Sequence, residues 1–149
     1  MEVTRPDHSD RSLSCSCART MKLPPQALFP AWTSDEFGRW FGNSAETLLM
    51  KPEVNVPWYF EARFEGQRHP HYGRFLRLEP DRLIETTWLN EAATKGAETI
   101  VTIELVPSGE GTLLKLSHSG FADEESRNGH EQAWPQVLEH LDNNYSPPA

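Results

Sequence analysis

The sequence predicts an α+β domain in which a curved antiparallel sheet of about six or seven strands wraps around one long C-terminal helix. Residues 123–145 place their apolar side chains on one stripe at helical spacing and their polar side chains on the other. Upstream, most segments alternate between apolar and polar residues, as half-buried strands do. Because an amphipathic helix needs an apolar partner, the sheet and the helix are expected to cover each other.

The length of 149 residues suits a single domain. A domain of this size can bury a core without disulfides or metal. We expect residues 11–145 to form that domain. Residues 1–10 are rich in polar residues and proline, and we expect them to be a flexible tail.

The formal net charge of −8 at pH 7 argues against nucleic acid as a partner, because phosphate contacts need clustered Lys and Arg. It argues equally against binding to an anionic membrane. The chain has no run of about 18 apolar residues that could span a membrane. Residues 1–11 also lack the apolar segment of a signal peptide. We therefore expect a cytoplasmic protein.

The two cysteines, Cys15 and Cys17, point the same way if they lie on a strand. Their Cβ atoms are then too far apart for a disulfide, which needs about 3.8 Å. We expect reduced, inward-facing thiols, and neither a metal nor a cofactor is predicted.

The first strand is predicted over residues 11–21, with Arg19 in the inward register. The sequence Leu-Pro-Pro at 23–25 ends it, because proline cannot donate to the ladder. Two short helices, over residues 26–33 and 35–41, are predicted next and are expected to plug one end of the sheet.

Six further strands are predicted, separated by short turns, which makes the sheet mostly antiparallel. The first of these six covers residues 45–50. The predicted inward faces of the other five are Trp58, Phe60, Ala62 and Phe64; Tyr72, Arg74, Leu76 and Leu78; Ile84, Thr86 and Trp88; Val101, Ile103 and Leu105; and Leu114, Leu116 and His118.

Asp123 is predicted to cap the final helix, because acidic residues follow it in the first turn. Pro135 removes one backbone hydrogen bond inside the helix, so a kink is expected near Glu131.

Three segments, residues 31–42, 72–83 and 111–138, carry a resemblance to a known family. They contain Ala-Trp-Thr-Ser-Asp-Glu, then Tyr-Gly-Arg-Phe followed by Leu-Glu-Pro-Asp-Arg-Leu, and finally Leu-Ser-His-Ser-Gly-Phe followed by His-Glu-Gln-Ala-Trp-Pro. In their order and spacing they resemble the helix-grip (START-like, SRPBCC) superfamily, in the branch related to the activator of Hsp90 ATPase. Ala133 stands where that family usually has glycine. The resemblance implies a cavity between the sheet and the last helix.

We predict that a small apolar or amphipathic molecule binds in this cavity, because aromatic walls with a few polar groups are typical of ligand sites. The predicted ligand-binding residues are Trp40, Trp58, Phe60, Phe64, Tyr72, Arg74, Leu76, Thr86, Trp88, His118, His130, Trp134 and Leu138. No catalytic residue is predicted, since no nucleophile or acid–base pair is fixed by spacing.

Several of these residues have a structural alternative. His118 and His130 either meet a ligand or are satisfied within the protein. Arg74 needs a partner, which is a ligand carboxylate or, if the register slips, Glu85 or Glu98. The sequence His-Pro-His at 69–71 is interpreted as a solvated loop, because nothing nearby completes a metal site.

Two other functions stay open. One is an enzyme of the polyketide-cyclase type that uses a cavity histidine as acid or base. The other, implied by the family name, is association with an Hsp90-type chaperone. A binding role is favoured over an enzymatic one, and exposed sheet edges are compatible with a homodimer.

Overall fold

The computed structural model describes residues 3–148 of the chain. In sequence order its elements are β1 (Ser14–Met21), α1 (Pro25–Thr33), a short 3₁₀ helix (Asp35–Arg39), β2 (Pro57–Phe64), β3 (Gln67–Glu79), β4 (Leu83–Asn90), β5 (Thr99–Ser108), β6 (Gly111–Ser119) and α2 (Glu124–Asn144).

The described strands form one antiparallel sheet of six, in the order β1-β6-β5-β4-β3-β2. Strands β2 to β6 follow one another across the sheet. Strand β1 pairs with β6 at one edge, so the chain between β1 and β2 passes from that edge to the other. Helix α2 covers the inner face with a stripe that includes Trp134, Leu138 and Leu141. The predicted helix-grip fold is therefore confirmed.

Both ends of α2 are fixed by carboxylates. Asp123 caps the N-terminus, since its Oδ1 accepts from Ser126 N at 2.9 Å. Near the C-terminus, Asp142 Oδ1 accepts from Lys22 N at 2.9 Å and Oδ2 accepts from Arg19 Nε at 3.1 Å. The inward position of Arg19, an oddity in the sequence pattern, is explained by this tie between β1 and α2.

Residues 45–50 do not form the predicted strand. Residues 45–47 form a turn, and the pairing of the segment with β2 is a single bridge between Leu49 and Tyr59. The sheet therefore has six strands in the described residues where the sequence pattern suggested a seventh.

The inward face of β3 differs from the prediction. His71, Gly73 and Phe75 lie against the interior, and a Cβ at Gly73 would stand 2.2 Å from the Trp58 ring. Tyr72 and Arg74, predicted to point inward, consequently lie on the other side. An irregularity between Phe75 and Arg77 then changes the register.

At the N-terminus, the described residues contact the outside of the sheet. Arg5 pairs with Glu85, the carbonyl of Thr4 accepts from Arg74, and His8 Nε2 lies 2.9 Å from Glu98 O. The flexibility expected for residues 1–10 stays a prediction, and residues 1 and 2 lie outside the described part. Among residues 3–148, no helix is long and apolar enough to cross a membrane.

Candidate functional site

Side chains fill the space between the sheet and the helices. The cavity inside the aromatic cluster has a volume of only about 10 Å³, roughly the space of one water molecule. Its walls are Trp32, Phe37, Met50, Trp58, Phe75, Ile84, Thr86, Trp88, Val101 and Ile103. A ligand of the predicted kind does not fit into this cavity as it stands.

The polar groups in this interior are largely engaged with each other. Thr86 Oγ1 accepts from Trp58 Nε1 at 2.8 Å and lies 3.1 Å from the Arg74 carbonyl oxygen, to which it can donate. Trp40 Nε1 donates to Ala31 O at 2.8 Å. These hydrogen bonds hold the interior together and leave few free donors or acceptors for a ligand.

His118 is fully buried and uses both ring nitrogens. Its Nδ1 accepts from Trp134 Nε1 at 3.0 Å, and its Nε2 lies 2.6 Å from Thr99 Oγ1. Because an indole N–H only donates, the proton of the neutral ring is on Nε2. Burial, with His130 beside it, holds the pKa of His118 far below its ordinary value. In this structure His118 is satisfied within the protein.

His130 stands beside His118, with 4.7 Å between ring centroids, and reaches the surface. Its Nδ1 lies 2.8 Å from Ser126 O, and since a carbonyl only accepts, Nδ1 carries the proton. Burial lowers its pKa, so the ring is neutral near pH 7. Its Nε2 makes no hydrogen bond to any residue in the described range.

His71 is a residue that sequence reasoning missed, because His-Pro-His was interpreted as a loop. It lies in β3 and stacks on Phe60, with 4.6 Å between centroids and 12° between ring planes. Its Nδ1 donates to His69 O at 2.7 Å, and burial lowers its pKa to about 4. Gly73, two residues on, was the available signal, since a glycine opposite Trp58 would set the inward register.

Two clefts open at this end of the molecule. The strand-side cleft, of about 360 Å³, is lined by Gln67, Arg68, His69, Pro70, His71, Asn90, Glu91, Ala92 and Ala93. The helix-side cleft, of about 310 Å³, is lined by Ala92, Ala93, Lys95, Glu125, Ser126, Gly129, His130 and Ala133. Ala92 and Ala93 belong to both clefts, so the loop that carries them is their common wall.

We call this loop, residues 91–97, the mouth loop, and the two clefts with the loop the mouth. Asn90 Oδ1 accepts from Ala93 N at 2.5 Å and Thr94 N at 2.9 Å. On the other side, Ser126 Oγ donates to Ala93 O. Lys95 pairs with Asp123 and Glu125, the first residues at the start of α2. A few polar contacts therefore fasten the mouth loop.

The predicted site residues fall into three groups. Those packed in the interior are Trp40, Trp58, Phe60, Leu76, Thr86, Trp88, His118, Trp134 and Leu138. His130 lies at the mouth. Phe64, Tyr72 and Arg74 lie outside the interior: Phe64 is 67% exposed at the end of β2, and Tyr72 is 48% exposed. Whether any of them binds a ligand stays a prediction.

Arg74 finds its partners on the outer side of the sheet. Its Nη1 donates to Asn55 Oδ1 at 3.1 Å, and Nη2 donates to the Thr4 carbonyl. Neither Glu85 nor Glu98 forms an ion pair with Arg74; Glu85 pairs with Arg5 instead.

Cys15 and Cys17 are both free thiols, as predicted. Burial raises the pKa of Cys15 to about 11, so it is protonated and unreactive near pH 7. Among residues 3–148, no three His, Cys, Asp or Glu residues are arranged to hold a metal ion.

The family model for the activator of Hsp90 ATPase homolog 1-like protein matches residues 22–145. The chain belongs to this family. The matched range begins directly after β1 and ends directly after α2, so it includes five of the six strands, α2 and the mouth. Among proteins with curated descriptions, none matched the chain.

Several solved structures share this fold. Protein CV1439 from Chromobacterium violaceum is 23% identical, with a TM-score of 0.76 over 91% of this chain and 98% of that one. PFC0360w, an HSP90 activator from Plasmodium falciparum, is 18% identical, with a TM-score of 0.72 over 91% and 98%. The Aha1 dimer from Colwellia psychrerythraea is 16% identical, with a TM-score of 0.67 over 89% and 96%. At these identities the likeness establishes the fold.

Proposed function

We propose that this family member binds a small amphipathic molecule at the mouth, between the sheet and the start of α2. The observation that carries the proposal is the pair of clefts that share the mouth loop as a wall. Displacing this loop joins them into one site. The interior beneath stays packed and serves as the rigid floor.

The chemistry of the mouth supports this kind of ligand. His71 and His130 each donate from Nδ1 to a backbone carbonyl, and each keeps an Nε2 that makes no bond within residues 3–148. Lowered pKa values keep both rings neutral, so each offers an acceptor rather than a charge. Pro70, Ala92, Ala93 and Ala133 supply apolar surface to the clefts, and Trp88 and Trp134 are buried beneath the two rings. A few polar groups beside apolar surface are typical of small-molecule sites.

The mouth loop is fastened in a way that permits opening. Its ion pairs through Lys95 are solvent-exposed, and exposed pairs contribute about 0–1 kcal/mol. The bond from Ser126 to Ala93 O adds about 1 kcal/mol. Asn90 Oδ1 also holds Ala93 N and Thr94 N, so we propose that the loop moves away from α2 while these bonds stay in place. Ligand contacts can offset the cost of releasing the contacts to α2.

Native mass spectrometry of the protein, purified without added ligand, tests the proposal. We expect a bound small molecule, and a change in tryptophan fluorescence when it is removed. Gly129→Leu is the blocking variant, because a Cβ at Gly129 meets open space in the helix-side cleft. This variant should lose the bound molecule while it folds normally.

Gln132→Leu is the matched control, since it adds the same side chain to an exposed position of α2 that does not line the clefts. It should keep the molecule. Equal occupancy in both variants, or no bound molecule and no fluorescence response to a panel of amphipathic compounds, would contradict the proposal.

A chaperone-associated role is the second candidate, favoured by the family match and by the HSP90 activator from Plasmodium falciparum among the similar folds. Adding the purified chain to an Hsp90 ATPase assay tests it directly. A rate that stays unchanged at a saturating concentration of the chain would remove this candidate.

We propose that two copies of the chain associate as a homodimer. The outer strands of the sheet are β1 and β2, and an outer strand offers backbone groups for pairing. The Aha1 structure from Colwellia psychrerythraea, which has the same fold, is described as a dimer. Sedimentation equilibrium should give twice the 17.0 kDa mass of one chain, and a mass of one chain across micromolar concentrations would refute this.

A further inference from the structure

The Asn90 side-chain amide is held in one orientation at the back of the strand-side cleft. Its Oδ1 accepts from the backbone N–H groups of Ala93 and Thr94. Since these groups only donate, the oxygen and the nitrogen of the amide cannot be exchanged. The Nδ2 donor therefore points away from Ala93 N and Thr94 N.

That donor has no partner in the protein. Asn90 is 3% exposed, and among the described residues Nδ2 makes no hydrogen bond. A buried polar group without a partner is costly, and in native structures such groups commonly mark a function or a bound molecule. Asn90 lines the strand-side cleft, so a bound group that reaches Nδ2 would approach it from this cleft.

His71 supplies the complementary group. Its Nδ1 donates to His69 O, which fixes the tautomer and leaves a lone pair on Nε2. Burial lowers the pKa of His71 to about 4, so the lone pair is free near pH 7. Nε2 accepts no hydrogen bond from residues 3–148, and the ring lines the same cleft.

The two residues face each other across the sheet. His71 of β3 and Asn90 of β4 are register partners, and directly opposed residues of an antiparallel pair have Cβ atoms roughly 4.5–5.5 Å apart. Both side chains lie on the inner face, since His71 stacks on Phe60 and Asn90 follows the inward Trp88 by two residues. One donor and one acceptor are thus presented side by side.

We propose that the strand-side cleft recognises a carboxamide edge, either a primary amide or a cyclic amide, in the ligand whose binding at the mouth is proposed above. The carbonyl oxygen of that edge accepts from Asn90 Nδ2, and the N–H on the same edge donates to His71 Nε2. An ordinary trans amide carries these groups on opposite sides and can satisfy only one of the two residues.

A carboxylate is the most informative group to compare with a primary carboxamide, because the two have the same shape. A carboxylate has no proton to give to His71 Nε2, so two acceptors would face each other. Arg68 also lines the cleft and could attract a carboxylate. It is 69% exposed, however, and Glu61 lies 3.8 Å from its Nε. Its charge is therefore screened and partly balanced.

The test uses benzamide, benzoate and acetophenone, which share a phenyl ring. Benzamide offers both groups, benzoate offers only acceptors, and acetophenone offers a single acceptor. Titration calorimetry at pH 7.5 should show that benzamide binds about tenfold more tightly than either of the others, since one hydrogen bond is lost with each.

Two variants locate the effect. Asn90→Asp keeps Oδ1 as the acceptor for the mouth loop and removes the Nδ2 donor. His71→Phe keeps the ring that stacks on Phe60 and removes Nε2. His71→Phe removes the acceptor that only benzamide can use, so it should reduce the preference over acetophenone to about twofold or less. Asn90→Asp removes the donor that all three probes use, so it should weaken benzamide binding about tenfold. His140→Phe, the same change as His71→Phe at an exposed position of α2, should leave both the affinity and the preference intact.

The possible failures are separable. Equal affinities for benzamide and acetophenone, an unchanged preference in His71→Phe, or unchanged benzamide binding in Asn90→Asp overturns the carboxamide proposal alone, provided that Gly129→Leu still removes the molecule bound at the mouth. If none of the three probes binds and no molecule copurifies, both proposals fall.

Discussion

Two equally buried tryptophans differ in whether the indole N–H has a hydrogen-bond partner. Trp134 Nε1 donates to His118, whereas Trp32 Nε1 has no partner within residues 3–148. Both are nearly fully buried, at 3% and 4% exposure. Trp134→Phe should therefore lower the free energy of unfolding by about 1–3 kcal/mol more than Trp32→Phe does, because it leaves His118 Nδ1 unpaired.

Urea unfolding of the two variants measures this difference. Each variant loses the same ring volume, so the cavity contribution largely cancels. Equal losses would mean that the bond between Trp134 and His118 contributes nothing to stability.

The histidine at position 71 makes stability depend on pH. Burial lowers the pKa of His71 in the folded chain to about 4, and in the unfolded chain it is about 6.5. The unfolded chain therefore binds the proton first as the pH falls. The contribution of His71, roughly 3 kcal/mol at most, is complete above pH 6.5 and is lost between pH 6.5 and pH 4.

His71→Phe should consequently flatten the rise in unfolding free energy between pH 4 and pH 6.5. Part of the rise remains, because the pKa values of His118 and His130 are lowered as well. Urea unfolding at pH 4.5, 5.5 and 7 checks the prediction. Parallel curves for variant and wild type would show that His71 is not protected from protonation.

Among the elements, α2 depends on its tie to β1. The Asp142 carboxylate is 3% exposed and receives bonds from Arg19 and Lys22 N, whereas Glu139 is 66% exposed and stands 4.0 Å from Arg19. Asp142→Asn places an amide donor against Arg19 or Lys22 N. It should cost about 1.5–3 kcal/mol of unfolding free energy.

Glu139→Gln removes a charge near the same arginine and is the control. An exposed pair contributes about 0–1 kcal/mol, so we expect little change on denaturant unfolding. If the two substitutions lower the unfolding free energy by the same amount, the burial of the Asp142 carboxylate does not strengthen its contacts with β1.

For the whole molecule, one continuous core predicts one cooperative transition. All five tryptophans are buried, and their rings connect through direct contacts with other aromatic side chains. Tryptophan fluorescence and far-ultraviolet circular dichroism should therefore give the same urea midpoint. A fluorescence change at lower urea concentration than the loss of secondary structure would show that parts of the core unfold separately.

The accuracy of sequence reasoning followed the regularity of each strand. In β4, β5 and β6 the inward residues Ile84, Val101 and Leu114 were predicted correctly, because these strands alternate without interruption. In β3 the irregularity after Phe75 shifts the inward face by one residue, and Gly73 lies on the inward face because a side chain there would collide with Trp58. Alternation in the sequence does not reveal such a shift, because one extra residue in a strand moves every following side chain to the opposite face of the sheet.

The sequence by itself determined the fold and the cap of α2 at Asp123, because these depend on local periodicity and on residue type. Only the tertiary structure decided that the interior is filled, that His118 is satisfied by Trp134, and that His71 meets Asn90 at the mouth. The physical reason is that cavity volume and hydrogen-bond partners are set by side chains from strands and helices that are distant in the chain. Their relative placement leaves no mark on the spacing of residues along it.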